Sequence, residues 1–542
     1  MSTPLWASFG PSPSPDRGED RSKRPFMFGA LGLVVLAYAA SLNGGWVWDD
    51  HILFVDNPAL DSPLRLWMES LFGATTGSGN VYRPLVMMTF LPGHILDLGP
   101  IFERVVGLSI HVATVCLLAR ALIGLGTRAS GAWLLAAVYG VHPGVSEVVA
   151  WISARQDLLP GLLTVAAVAA WVHNRRWMAA LLLLPTPFCK ESFLLAAPAM
   201  GIWCLGIRRL HPAVVIPIVG ALGYGWMRSR IGLELPAGAV GTDPIGSLGS
   251  LALRLPELAL WPAGAETFPA HRPSRIVGAI AAVGGVALFA ASWGRPRVAI
   301  ATGLLVLALP GAVAANHTDL LSDRYLHMGM VALVVFASAA VGHRMPPRVL
   351  WSLPLGLAFI TGMRAWQWTS DVRLFSAAVG HDAENGRAAF HLGHAFHRYE
   401  DDCATAVPLY RRGIDSDPRA HTNLQACYVE LGDPEAALAL TEAASAAQPL
   451  NPNPPANGAR AAVAMGQIEL AERWARVAVE RDPLRPRNAV LLGNILGQQG
   501  RCGEALPLFR SAIEMDDSTP GAARGLAACK KNLSDQTALP TE

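Results

Sequence analysis

Eleven apolar runs crowd into residues 25–366, at about 26–43, 102–123, 129–141, 157–173, 177–189, 191–207, 211–228, 276–293, 297–315, 325–343 and 347–364. A soluble globule cannot hide so much apolar length, and backbone in lipid must satisfy its own polar groups. The chain is therefore constrained to a polytopic domain of packed helices. Charged residues are only 15% of the 542, against about 25% in an ordinary soluble protein. The net charge of +2 leaves no basic footprint for nucleic acid. Charges become dense only after residue 366. The expected class is all-α: a membrane domain of about 11 spans over 25–366, then a soluble domain over 367–535 and a tail at 536–542. Several runs fall short of the roughly 20 residues that one span needs, so the count carries a margin of one or two.

Orientation follows from arginine. Arg17, Arg21, Lys23 and Arg24 precede the first run. Every second connection then carries arginine without Asp or Glu: Arg128, Arg175 with Arg176, Arg208 with Arg209, Arg295 with Arg297, and Arg344 with Arg348. The positive-inside rule places these and the N-terminus in the cytoplasm, and eleven spans then put the C-terminus outside. Ala37-Tyr38-Ala39 resembles a signal-peptide cleavage site, but the run is long and a multi-spanning domain follows. Residues 1–24, rich in Pro, Ser and charge, are expected to be disordered. Segments 85–98 and 249–262 are apolar but short and read as interfacial or dipping segments.

With this topology the unusual polar residues gather on the outer face. Asp49-Asp50-His51 follows the first span, and Tyr82-Arg83-Pro84 lies in the same loop. His142, Glu147, Arg155 and Asp157 follow the third. Lys190-Glu191 breaks two runs, and Arg228, Arg230, His271, Arg272, Arg275, His317, Asp319, Asp323 and Arg324 complete the set. Ionisable groups at a membrane boundary are costly unless paired or hydrated. Singly these read as loop charges and helix anchors; drawn from five connections, they can close one wet, charged cavity. Adjacent carboxylates after a membrane helix suit base chemistry, because neighbouring side chains diverge and one can face a hydroxyl while the other orients it. A helix cap explains Asp-Asp equally well.

From about 367 the sequence repeats with a period near 34. Leu392-Gly393, Ala406, Tyr410 and Pro418 mark the first unit; Gly432, Ala437 and Pro449 the second; Gly466, Ala471 and Pro483 the third; Leu492-Gly493, Gly500, Ala505 and Phe509 the fourth. Equivalent alanines at 406, 437, 471 and 505 are 31, 34 and 34 apart. This is the tetratricopeptide pattern of paired helices, with a leading half-unit at 368–383 and a capping helix at 520–533. Such a solenoid offers a concave groove for extended peptide or a partner helix. Cys403 and Cys502 sit three residues before a landmark alanine, and Cys427 and Cys529 in the next unit's first helix. The repeated placement predicts bridges Cys403–Cys427 and Cys502–Cys529, which persist only in an oxidising compartment. Four buried thiols are the alternative.

Trp48-Asp49-Asp50, Asn57-Pro58, Tyr82-Arg83-Pro84-Leu85, His142-Pro143 with Glu147, Ala150-Trp151-Ile152-Ser153, Arg155, Asp157-Leu158-Leu159, Lys190-Glu191 and Asp323-Arg324-Tyr325-Leu326 together resemble the transmembrane-and-tetratricopeptide O-mannosyltransferases. The resemblance runs from about 26 to 530, in a form bacterial chains share; it departs at Asp323, where most relatives carry Glu. It implies a GT-C type glycosyltransferase moving a sugar, typically mannose, from a polyprenyl-phosphate carrier to Ser or Thr hydroxyls of an extracytoplasmic protein. The membrane would be a bacterial inner membrane or one of ER type. Asp49 and Asp50 match the acidic pair, with Asp50 slightly favoured as base. Arg83, Arg155, Lys190 and Arg324 are the donor-phosphate candidates. Glu147 and Asp157 would hold those cations, with Tyr82, His142, Glu191 and Asp323 in support. No cofactor is demanded; a divalent cation at Asp49, Asp50 and a nearby histidine is compatible, though no ligand spacing requires it. The rival is a non-catalytic assembly protein that recruits envelope partners through its repeats. A transporter fits less well, because no charge relay runs mid-span.

Overall fold

The structure, a computed structural model, describes residues 17–68, 81–233, 243–261, 273–310, 322–341 and 348–537. Among these every regular element is helical. Two compact units divide between Leu374 and Phe375, past the boundary expected after 366. The reason is local: Thr369 and Asp371 bind the loop after the first helix, which ties this segment to the first unit.

In the first unit each apolar run holds a helix. Among the described residues only three are long and apolar enough to cross a membrane: Arg24–Ser41, Gly99–Gly124 and Val349–Gln367. A pair bent by 59°, Ala129–Gly140 with Pro143–Ala150, would make a fourth. The expected count of about eleven is therefore not met by helix length. Breaks divide some of the other runs: 177–189 becomes helix Arg176–Leu183 and a 3-10 turn at Thr186–Phe188, and 191–207 opens as a 3-10 turn before Ala196–Gly206, whereas 157–173 and 276–293 hold the unbroken helices Arg155–Val172 and Arg275–Ala291. The first helix begins at Arg17, inside the segment 1–24 expected to be disordered, and runs to Tyr38; residues 1–16 lie outside the described residues.

Small residues bring these helices together, as packing within lipid requires. A Cβ on Gly140 would lie 2.7 Å from Val34 and 2.9 Å from Val115, where three helices meet. One on Gly206 would lie 2.9 Å from Pro296 Cα. Helix Arg275–Ala291 leaves Ile276, Ile280, Val283 and Val286 exposed, an apolar face suited to lipid. Segment 85–98 forms two short helices, Pro84–Met88 and Leu91–Ile95.

The second unit is a run of antiparallel helix pairs: Gly386–Tyr399 with Cys403–Gly413, Arg419–Glu430 with the interrupted pair Pro434–Ala439 and Thr441–Ala447, Asn453–Ala464 with Ile468–Arg481, and Pro486–Gln498 with Cys502–Met515. Helix Ala522–Thr537 packs on the last pair. Ala406, Ala437, Ala471 and Ala505 are all fully buried. Sulfurs pair as Cys403–Cys427 and Cys502–Cys529. The turn inside each pair needs one residue in the left-handed region. Gly432, Gly466 and Gly500 supply it at φ +74°, +71° and +77°, whereas the first pair uses Asp401 at +51°. Only glycine takes this conformation without steric cost.

Gly466→Ala should accordingly destabilise the repeats by about 1–2 kcal/mol, while Asp401→Gly should raise their thermal midpoint. Equal midpoints for both variants and the parent protein would show that the turn does not govern repeat stability.

Candidate functional site

The loop after the first helix is fixed from several sides. Gly45 N–H donates to Thr369 O at 3.0 Å. The buried Arg104 guanidinium donates to the carbonyls of Gly45 (2.6 Å), Trp368 (2.7 Å) and Ala150 (2.6 Å). Gly44 lies so close that a Cβ would meet both Arg104 and Thr369 Cα at 2.8 Å. Trp48 then enters the left-handed region at φ +58°, a conformation costing about 1–3 kcal/mol for a bulky residue. Several contacts offset it. Trp48 N–H donates to Asp371 Oδ1 at 2.9 Å. The Trp48 ring stacks on Trp151 at 5.0 Å, and Trp151 on Trp368 at 5.3 Å. The other Asp371 oxygen meets His51 Nε2 at 3.1 Å.

This turn places Asp49 and Asp50 differently. Asp50 is fully buried. Its Oδ2 accepts from Val47 N–H at 3.0 Å, and its Oδ1 accepts from the Ser153 N–H at 2.9 Å and from the Ser153 hydroxyl. Burial pushes its carboxyl up to about 7, against Ser153, Val47 and Arg104, which favour the charged form. Asp49 is half-buried. A cation shared by Asp49, Asp50 and a neighbouring histidine does not fit: donors face both Asp50 oxygens, and His51 faces Asp371.

Each proposed phosphate-binding cation has a carboxylate. Lys190 Nζ lies 2.5 Å from Asp157 Oδ1 and 4.6 Å from the Tyr325 ring centroid. Arg324 donates to Glu147 Oε1 at 2.8 Å, an oxygen that also accepts from the Ser322 hydroxyl at 2.7 Å. Its guanidinium lies over both Trp151 (4.9 Å) and Tyr325 (5.1 Å). Arg83 donates to Glu191, with Nε at 2.9 Å from Oε2, and to Gln156. Asp157 and Tyr325 also act electrostatically on Arg83, which joins the three cations into one cluster. Tyr224, which interacts with Arg83, Glu191 and Arg228, extends it.

The remaining predicted residues contact other parts of the chain. Arg155 is 1% exposed. It is turned into Glu103 Oε2 (2.6 Å), Glu103 O (2.8 Å), Thr89 O (3.2 Å) and the face of Phe90 (3.9 Å). Asp323 pairs with Arg254 at 3.0 Å. Tyr82 donates its hydroxyl to Trp67 O at 2.9 Å, and His142 Nδ1 accepts from Gly144 N–H at 3.1 Å. Arg275 pairs with Asp243 at 3.0 Å and is mostly exposed. His271, Arg272, His317 and Asp319 lie outside the described residues. Sequence reasoning missed Glu103, Arg104, Gln156, Arg254 and Asp371, and quoted Ser153 only within the Ala150-Trp151-Ile152-Ser153 motif, without a role. Only Glu103-Arg104 carried a signal, as charges at the start of an apolar run.

Asp50→Asn would oppose an amide N–H₂ to either Val47 N–H or Ser153 N–H. It should lower stability by about 1–3 kcal/mol, seen as a lower thermal midpoint in detergent, whereas Asp49→Asn should leave it in place. Arg155→Ala should cost more, about 3–5 kcal/mol, because it strands the buried Glu103 carboxylate. Unchanged melting of Asp50→Asn would reject the anchoring role.

No protein-family model matches the chain. Among curated proteins it is similar to protein O-mannosyl-transferase F38B6.6 of Caenorhabditis elegans, 28% identical over 37% of this chain and 31% of that protein. It is also similar to mouse protein O-mannosyl-transferase TMTC3, 22% identical over 74% and 52% respectively, and to human TMTC4, 32% identical over 24% and 20%. The chain thus spans about half or less of the length of each of these relatives. Among solved structures, YrrB, a TPR protein with an unusual peptide-binding site, is 15% identical, covering 28% of this chain and 80% of that one at a TM-score of 0.26. The MamA MSR-1 structure is 24% identical, covering 27% and 85% at a TM-score of 0.25.

Proposed function

We propose that this protein is a membrane glycosyltransferase of GT-C type that moves mannose from a polyprenyl-phosphate carrier to Ser or Thr hydroxyls of an extracytoplasmic polypeptide. The observation that carries the reading is the shared Trp151 ring. Trp48, next to the acidic pair, stacks on one side of the site, and the Arg324 guanidinium lies over the same indole. A candidate base and a phosphate-binding cation thereby belong to one constellation. The similarity to named protein O-mannosyl-transferases supports the reaction class.

In this mechanism Asp49 takes the proton of the acceptor hydroxyl. The freed oxygen attacks the anomeric carbon, and the bond from that carbon to the carrier phosphate breaks. Asp50 is a positioning residue, because its oxygens are already occupied by Val47 and Ser153; this reverses the slight preference for Asp50 read from sequence. Arg324, Lys190 and Arg83 meet the departing phosphate, and Arg155 belongs to the scaffold. Counting Arg83, Lys190, Arg324 and Arg228 against Glu147, Asp157 and Glu191 gives four positive groups and three negative, an excess of one positive charge. A monoanionic phosphodiester would neutralise that excess. Charge held in place before reaction is what stabilises a leaving group.

The arginine pattern and the paired cysteines support about eleven traverses of a bacterial inner or ER-type membrane, with the repeats on the extracytoplasmic side. The repeat groove would hold the acceptor polypeptide.

Asp49→Asn should slow mannose transfer from a polyprenyl-phosphate donor by about 10²–10⁴-fold while donor binding persists. Lys190→Ala and Arg324→Ala should weaken donor binding instead. Wild-type transfer by Asp49→Asn would remove it as the base, and envelope glycopeptides unchanged on gene deletion would favour the assembly-protein reading.

A reporter active only outside the cytoplasm, fused after residue 370, should be active. Activity of a cytoplasm-only reporter there would overturn the orientation and the outer-face site.

A further inference from the structure

We propose that Cys403 and Cys427, once reduced to thiols, form with His397 and Glu430 a four-ligand zinc site inside the repeat domain. The two cysteines sit on successive helices with Cα atoms 5.2 Å apart. Ligand atoms of His397, Cys403 and Cys427 all lie within 4.8 Å of one another. Glu430, one turn beyond Cys427, closes the group. Its Oε2 is 3.3 Å from Cys403 Sγ, and its Oε1 is 3.2 Å from His397 Nε2. Ligands at zinc bond lengths in a tetrahedron sit roughly 3.3–3.8 Å from each other, so two of the six edges, each through a different Glu430 oxygen, are already close to that length. Reduction has only to let the two sulfurs move apart.

Two further features suit a metal. His397 Nδ1 is 3.2 Å from the hydroxyl of the buried Tyr410. That partner orients the ring with Nε2 turned to Glu430, and its oxygen can accept from Nδ1–H once a metal takes Nε2, the outer support metal-binding histidines commonly have. Cys403 is the first residue of the eleven-residue helix Cys403–Gly413, and a helix start favours thiolate.

The same architecture recurs without the ligands. Relative to Cys502 and Cys529, the residues equivalent to His397 and Glu430 are Leu496 and Asn532. Leu496 is buried in the apolar core of its repeat. The pattern of paired helices therefore does not itself require histidine or glutamate here, and only the first pair carries a set of the hard and soft donors that zinc takes.

The chemistry balances simply. A phosphine reductant and water supply two electrons and two protons, which break the sulfur–sulfur bond to two thiols, and the phosphine becomes its oxide. Metal binding then displaces both protons. The test uses the full-length protein in detergent, with cobalt(II) as the spectroscopic probe. Phosphine-reduced protein should bind one cobalt per chain with the intense visible bands of a tetrahedral thiolate site, and zinc should bleach them. Oxidised protein should give none. The Cys502→Ser, Cys529→Ser double variant should keep the bands. His397→Leu and Glu430→Asn, which install the residues the last repeat tolerates, should lose them while melting cooperatively. Tyr410→Phe should weaken affinity on the order of 10-fold or more. Absence of the bands in reduced protein, their persistence in His397→Leu and Glu430→Asn, or their loss in the Cys502, Cys529 variant would each overturn the proposal.

Discussion

Arg104 anchors the first unit. Its guanidinium is buried, yet it donates to three backbone carbonyls drawn from the first loop, from Ala150 and from Trp368. A charge buried in this way is tolerable only when its hydrogens are largely satisfied, and here the three bonds made by its terminal nitrogens join three distant stretches of chain. Trp48, Trp151 and Trp368, one from each of those stretches or immediately beside it, then stack in sequence. The strained Trp48 backbone is held because this frame over-determines it, and the acidic pair inherits its position from that strain.

Charge pairing is the second constraint. Arg155 with Glu103, Lys190 with Asp157 and Arg254 with Asp323 are all nearly excluded from solvent. Buried pairs contribute little net stability, while a broken one is expensive. Their effect is to specify geometry. Arg324 and Arg83 keep more exposure than Lys190 or Arg155, at 16% and 11% of their side-chain surface, so they are the cations of the cluster that a ligand reaches most readily.

The repeats solve a different problem. No helix pair there has a large core of its own, and stacking supplies it, with alanine and glycine allowing close approach. Gly493 faces the Phe509 ring, where a Cβ would sit 2.9 Å away. Bulk on one helix is matched by its absence on the next, and the 34-residue period is the sequence trace of that match.

The sequence by itself determined the helical class, the repeat domain and its cysteine pairing, because periodic small residues and left-handed turn positions are local properties. It also showed which connections carry reactive groups. It could not say which of two adjacent aspartates is buried, since that depends on Ser153, about a hundred positions away. Nor could it separate Arg155, closed in by Glu103, from Arg324, which shares the Trp151 ring with Trp48. It could not say how far each apolar run stays helical, because composition registers apolar length but not where proline or a tight turn breaks a helix. Only tertiary structure decided these points: the energy of a charged side chain is set by the partner that reaches it, and no local pattern encodes that partner.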